Sequence, residues 1–351
     1  METSDCLQHF GYEDFDRSRI ELRYPTACPI KTGCSTKLVN IPYGKGTRSF
    51  CPTHGIRLHS NTFVYWNGID RQDDARLRNF RFRSDDLARK IALKSVEKAE
   101  SHRLGYEMSE DALSWNVFVG LAEARKLRQV VRFLTGRSIN AEPDLYLWGE
   151  LIDVHRGKRG RFQPLDAARK RLESGIERFK TEPDVMLVLD RQLLVCIEAK
   201  FSSGNPLAYD GRIEPSQKPV DRTGLLRRYF DMATAETKGI IDPGAIGEVF
   251  HSQLFRNVVF ASEMANGSDW HVVNLVSKTQ WEGRKDSKRY SFVNPETHVW
   301  SYLHEDRRQC FSFSTWEELY RALIKEDPDL GTLHAYLLSK SAHYRQAFHL
   351  Y

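Results

Sequence analysis

The stretch TEPDVMLVLDRQLLVCIEAKF, residues 181–201, decides the fold. Two runs rich in apolar and β-branched residues, 185–190 and 193–200, flank a short polar connection, which is the pattern of a β-hairpin. A turn centred on Arg191 pairs residues whose numbers sum to 382, so Asp184 and Glu198 stand opposite each other across the strands. Side chains alternate faces with period two, so Glu198 and Lys200 share a face while Ala199 points away. Two carboxylates and one ammonium thus gather at one end of a hairpin built otherwise of VMLVL and LLVCI. Polar groups so placed are costly near a core unless they are paired or used.

That grouping has a chemistry. Two close carboxylates repel, and a divalent cation relieves the repulsion. Mg²⁺ favours a few carboxylate oxygens together with water and substrate phosphate. A metal held there lowers the pKa of a bound water and polarises a phosphate, and a nearby lysine steadies the charge that develops. The combination suits phosphodiester hydrolysis.

Pro183-Asp184 followed by Glu198-Ala199-Lys200 resembles the signature of the PD-(D/E)xK nuclease superfamily. The resemblance implies an α/β, restriction-endonuclease-like core, a mixed central sheet flanked by helices, in the order helix, three strands, helix, strand. It covers roughly residues 105–280. It implies Asp184 and Glu198 as ligands of Mg²⁺ (or Mn²⁺) and Lys200 as the catalytic lysine of a metal-dependent endodeoxyribonuclease. Members of the family often add an acidic residue on the first core helix. Glu110 fits, on the stripe of Leu113, Val117 and Leu121, with Asp111, aligned with Trp115 and Phe118, as the alternative. A glutamine after the lysine strand is matched by Gln253, which shares a helical face with Ile246 and Phe250. Pro-Asp recurs at 143–144 and 328–329, and ExK at 236–238, but only 183–184 with 198–200 falls on adjacent apolar strands in register. The implied partner is duplex DNA, with a homodimer or partner subunits where both strands are cut. RNA, single-stranded or branched DNA, and a non-catalytic nucleic-acid-binding protein on the same fold are the competing readings.

Outward from the hairpin, LARKIALKSVEKAES (within 84–101) reads as a helix. Ser109 reads as the N-cap of a second, EDALSWNVFVGLAEARKL, of eighteen residues. LYLWGELIDV, after Pro143, has the apolar density of a strand. A basic insertion follows at 156–180, with nine Lys or Arg against three acidic residues and a helical second half. On it Arg171 and Arg178, two turns apart, line one face suited to a phosphate row. Residues 202–243 carry four prolines and form a long excursion with one helix, GLLRRYFDMATAE. GAIGEVFHSQLFRN then reads as a helix, and VVFAS and WHVVNLV as strands. The aromatic-rich tail contains a helix opened by a capping box, Ser314 with Glu317. Three parts are expected: a zinc-binding module over 1–70, the nuclease core over 71–280, and a mostly helical C-terminal extension over 281–351.

Composition sets the outer bounds. The 351 residues are 40% hydrophobic and 28% charged, which excludes a disordered or collagen-like chain. No run reaches the ~18–20 apolar residues of a membrane span, and the first twenty residues lack a secretory signal, so a cytoplasmic protein is expected. A net charge of +5 permits a nucleic-acid partner.

Four of the six cysteines fall within the first 51 residues, which in a chain of this kind points to metal rather than disulfides. Cys51-x2-His54 has the tight spacing of a zinc-gripping turn, and Cys28 with Cys34 offers a second pair. Cys28, Cys34, Cys51 and His54 are therefore expected to hold a structural Zn²⁺, with Cys6-x2-His9 as a competing half-site. Such a staple suits a module with little core of its own. Cys196 and Cys310 read as buried small hydrophobes.

Overall fold

The computed structural model describes residues 9–16, 27–31, 34–43, 46–59, 62–66, 77–82, 104–176, 180–201, 205, 207–209, 228–242, 249–278, 295–342, 345–348 and 350. Backbone contacts divide the chain into two units, Met1–Gly120 with Ile324–Tyr351, and Leu121–Leu323. The expected helix within 84–101 lies outside the described residues.

In the first unit, short strands separated by turn residues build an antiparallel meander: β1 (Val39–Tyr43), β2 (Gly46–Cys51), β3 (Ile56–His59) and β4 (Thr62–Tyr65). The unit is less poor in core than its composition suggests. Phe10, Phe15, Ile30, Ile56, Leu58, Phe63 and Tyr65 form a buried cluster that also includes Cys28 and Cys51. Its helix, Glu110–Glu123, is capped as expected, with Ser109 Oγ accepting the Ala112 N–H at 3.1 Å. It stops four residues short of the expected eighteen. Arg125 takes a left-handed φ of 56°, and a second helix, Leu127–Thr135, begins on the far side of that turn. The chain's last residues return to the first unit, where Lys340 and Glu107, 1% and 2% exposed, pair at 3.4 Å. Residues 281–351 are thus no single extension, because 324–351 belong to the first unit and Pro295–Leu323 to the second.

The second unit is built on a six-stranded mixed sheet. Its strands are β5 (Asp144–Leu147), β6 (Glu150–Leu151), β7 (Val185–Leu189), β8 (Leu193–Lys200), β11 (Asp269–Val276) and β12 (Phe311–Thr315), in the order β12-β11-β8-β7-β5-β6. Strands β9 (Leu207–Tyr209) and β10 (Val249–His251) pair separately. The β7–β8 ladder runs from Val185↔Ile197 to Leu189↔Leu193, so every pair sums to 382, and Arg191 supplies the left-handed turn residue at φ 53°. Strands β5, β7 and β8 form an antiparallel meander, while β11 lies parallel to both β8 and β12. A parallel neighbour needs a crossover, and the helix Ser252–Ala265 lies in that connection. Leu254, Phe255 and Val258 from it, with Leu165, Ala168 and Leu172 from the helix Gln163–Leu172, pack with Met186, Leu194, Cys196 and Val272. This is the sheet face that Glu198 and Lys200 continue.

Several local expectations fail for identifiable reasons. VVFAS is helical, inside Ser252–Ala265, because an apolar run buried on all sides carries no period to distinguish helix from strand. The helix expected from 244 starts only at Ser252, after β10, and 243–248 lie outside the described residues. LYLWGELIDV is a tight hairpin instead of one strand. Trp148 and Gly149 both take positive φ, 51° and 79°, and a Cβ at Gly149 would meet Leu165 Cδ2 at 2.9 Å. GLLRRYFDMATAE breaks into helical residues 228–232 and Ala235–Lys238, the second capped by Thr234. The aromatic tail contributes β12 to the central sheet. Its capping box sits one residue later than expected, between Thr315 and Glu318, through bonds of 2.9 and 3.1 Å. No helix among the described residues is long and apolar enough to cross a membrane.

Candidate functional site

Two clusters of chemically competent side chains stand out, one in each unit. In the first, Cys51 ends β2, His54 sits in the turn before β3, and Cys28 and Cys34 come from the segment preceding β1. Their ligand atoms all lie within 4.8 Å of one another. Cys28 Sγ is 3.2 Å from His54 Nδ1, Cys51 Sγ is 3.5 Å from the same nitrogen, and Cys34 Sγ is 3.6 Å from Cys51 Sγ. Tetrahedral zinc with Zn–S of ~2.3 Å and Zn–N of ~2.05 Å would set S···S near ~3.8 Å and S···N near ~3.6 Å. The spacing and donor chemistry fit, and the four residues could hold a structural metal such as zinc, bound through Nδ1 of His54.

The surroundings favour that use. Burial raises the Cys28 and Cys51 thiols, so they need a cation to ionise, while at Cys34 burial is outweighed by hydrogen bonds from Thr36, Cys51 and Cys28 together, which lower it. Burial, aided by Arg78, lowers the His54 pKa and keeps the ring neutral, the form a metal requires. Arg78, 3% exposed, donates to the carbonyls of Gly55 and His54 at 2.8 and 3.0 Å and so fixes the ligand turn. The competing half-site is not assembled among the described residues. Cys6 lies outside them, and His9 faces Tyr65, its Nδ1 3.3 Å from the hydroxyl, with burial holding its pKa down to about 3. All five described cysteines are free, and Cys196 and Cys310 are buried as expected.

The second cluster closes the hairpin. Glu198 and Lys200, 3% and 6% exposed, form an ion pair of 2.5 Å along one face of β8. The other carboxylate oxygen of Glu198 accepts the Asn257 Nδ2–H at 2.7 Å. Asp184, half-buried just ahead of β7, accepts the Ala199 N–H through Oδ2 at 2.9 Å. The Lys200 carbonyl accepts the Trp316 indole N–H at 2.9 Å, tying this end of β8 to the helix Trp316–Leu323. Behind Asp184, buried Glu173 accepts from the Thr181 backbone and the Tyr229 hydroxyl, each at 2.7 Å, and Arg256 bonds Thr181 Oγ1 at 2.8 Å. Arg256 and Asn257 thus bond Thr181 and Glu198 from adjacent positions of one helix.

Asn257 is the residue that sequence reasoning missed. Gln253 lies half-buried in the first turn of the helix Ser252–Ala265, and the side chain that reaches Glu198 comes one turn later. A lone amide inside the apolar run LFRNVVFAS was the available signal. The helical face expected to join Gln253 to Ile246 and Phe250 does not form, since Phe250 is in β10 and Ile246 is outside the described residues. Glu110 and Asp111 occupy the first turn of their helix in the first unit, whereas the hairpin belongs to the second.

Three arginines of the basic insertion are tied to acceptors within the fold. Arg161 bonds Glu150 and Asp166, Arg169 bonds Glu182 and the Thr181 carbonyl, and Arg171 pairs with Glu263. Arg178 lies outside the described residues. Compared with known proteins, the chain matches no family model, no curated sequence and no solved structure.

Proposed function

We propose that Asp184, Glu198 and Lys200 form the site of a metal-dependent endonuclease that hydrolyses DNA phosphodiester bonds. The observation that carries this reading is the β7–β8 register, which brings Asp184 beside Glu198 with Lys200 two residues further along the same face. The order of a meander, a crossover helix and a fourth strand parallel to the third supports it as well. Asp184 and Glu198 would hold Mg²⁺ or Mn²⁺, a hard cation suited to a small number of carboxylates. The bound ion would supply an activated water and a polarised phosphate. The Ala199 N–H steadies the Asp184 carboxylate, and Asn257 orients Glu198. The Lys200 ammonium, already desolvated, would stabilise negative charge on the phosphate. The Cys28, Cys34, Cys51 and His54 metal would staple the first unit.

One observation favours a second reading, a nucleic-acid-binding protein on a retired nuclease frame: Lys200 and Asn257 already occupy both oxygens of Glu198. Incubating purified protein with plasmid and with single-stranded DNA and RNA, in Mg²⁺ or Mn²⁺ against EDTA, separates the two. EDTA-sensitive cutting of duplex DNA that is lost in Asp184→Ala and Lys200→Ala is expected. Absence of cutting on every substrate, or unchanged cutting by either folded variant, overturns the nuclease.

A further inference from the structure

Residues 124–140 and 154–165 hold five and four basic residues respectively, and no acidic one. The fold brings these two segments together inside the second unit. The Ala122 carbonyl accepts the Arg125 N–H at 3.0 Å and is also met by His155 Nε2 at 3.1 Å. The turn at 153–157 is itself fixed: Asp153 Oδ1 accepts the Arg156 N–H at 2.8 Å, and Gly157 takes φ 64°. Arg156 and Lys158 are therefore presented next to Arg125, from which Arg128 and Arg132 continue along the helix Leu127–Thr135. All five are exposed, and among the described residues none of the five forms an ion pair. This contrasts with Arg161, Arg169 and Arg171, whose guanidinium groups are tied to carboxylates.

We propose that the surface made by Arg125, Arg128, Arg132, Arg156 and Lys158 binds the phosphate backbone of duplex DNA. Arg128 and Arg132 lie four residues and ~6 Å apart along the helix axis, on one side of it. Four exposed guanidinium groups and one ammonium, outnumbering the neighbouring Glu123 and Asp153 carboxylates, match a polyanion through contacts that carry no base information. The choice of duplex DNA as occupant rests on the nuclease reading, whereas the surface itself does not.

The test measures binding of a fluorescein-labelled duplex by anisotropy, in EDTA, across a salt series. Each lost phosphate contact should lower the slope of log affinity against log salt by ~0.9. The variant Arg125→Ala/Arg128→Ala/Arg132→Ala should lose ~2.7 from that slope and, near 0.15 M salt, on the order of 100-fold in affinity. An independent variant from the other segment, Arg156→Ala/Lys158→Ala, should lose ~1.8. The charge-matched control Arg307→Ala/Arg308→Ala, exposed elsewhere in the unit, should keep the wild-type slope. Wild-type protein that does not bind duplex, unchanged slopes in both surface variants, or an equal loss in the control overturns the proposal. So does a larger loss for single-stranded RNA or for anionic phosphatidylserine vesicles than for duplex DNA. Cleavage by wild type with unchanged slopes removes the surface and leaves the nuclease standing. Lost slopes without any cleavage do the reverse.

Discussion

The Cys28–His54 cluster and the Glu198–Lys200 end of the hairpin are both small, partly buried groups of reactive side chains, yet they solve opposite electrostatic problems. In the cluster three thiols and an imidazole converge with no charge among them, and burial disfavours ionising the Cys28 and Cys51 thiols without a counter-charge. A bound cation would supply that counter-charge. At the hairpin the counter-charge is already built in, because Lys200 neutralises Glu198 and Asn257 satisfies its second oxygen. A cation there must compete with groups in place. At the first cluster a metal meets donors only, whereas at the hairpin it has to displace the Lys200 or Asn257 contact to Glu198.

The sharpest way to break this contrast is to remove the metal. Elemental analysis should find about one zinc per chain, because structural sites use four protein ligands per ion. Cys51→Ser should reduce zinc content and melting temperature together, since metal-binding free energy, on the order of 10 kcal/mol in small zinc modules, is folding free energy. A metal-free preparation with wild-type melting behaviour would remove the first half of the comparison. EDTA should leave the fold of the hairpin unit unchanged.

The next largest effect falls on the hairpin. Glu198→Ala removes the carboxylate that pairs with the buried Lys200 ammonium and should destabilise by ~3–5 kcal/mol, whereas Asp184→Ala, at a half-exposed position, should cost only ~1 kcal/mol. Denaturant melts of the two variants check the difference. Equal losses would mean that the ion pair is not what closes this end of β8. Asn257→Leu, which removes one hydrogen bond to a charged group, should fall between them at ~1.5–3 kcal/mol.

Much of the site was legible in sequence, and what was legible shares a cause. The register summing to 382 follows from a two-residue period and one tight turn, and Cys51-x2-His54 follows from the reach of a turn, so both are local. Asn257 was missed because its partner is 59 residues away and its helix begins eight residues later than its apolar pattern suggested. The capping box slipped by one residue because Ser314 and Thr315 are equally good hydroxyls, and the end of β12 decides between them.

A further expected effect concerns acid. His271, 2% exposed in β11 and 2.9 Å from Ser312 Oγ, is held down to about 4 by burial and by the Arg137 charge. Its folded pKa lies below the unfolded ~6.5, so the unfolded chain binds more protons between those values and stability rises with pH across that window. The contribution is complete above pH ~6.5 and is lost as pH falls towards 4. His271→Gln should flatten the pH dependence of melting between 6.5 and 4, and an unaltered profile would place the sensitivity elsewhere. In the first unit His9, held down to about 3, extends the same loss to lower pH.

Residue spacing alone determined the hairpin, the opposition of Asp184 to Glu198, the shared face of Glu198 and Lys200, and the four metal-ligand candidates. These depend on periods and turns that a few neighbouring residues fix. Tertiary structure alone decided that VVFAS is helix, that Phe311–Thr315 closes the sheet edge, and that the chain's end packs back into the first unit. It also sorted the basic residues, turning Arg161, Arg169 and Arg171 onto carboxylates and leaving the exposed Arg125, Arg128 and Arg132 with no carboxylate pair among the described residues. A charge in a sequence has no direction until distant segments pack around it. Which arginines meet an acid and which meet water is therefore set by contacts between residues far apart in the chain.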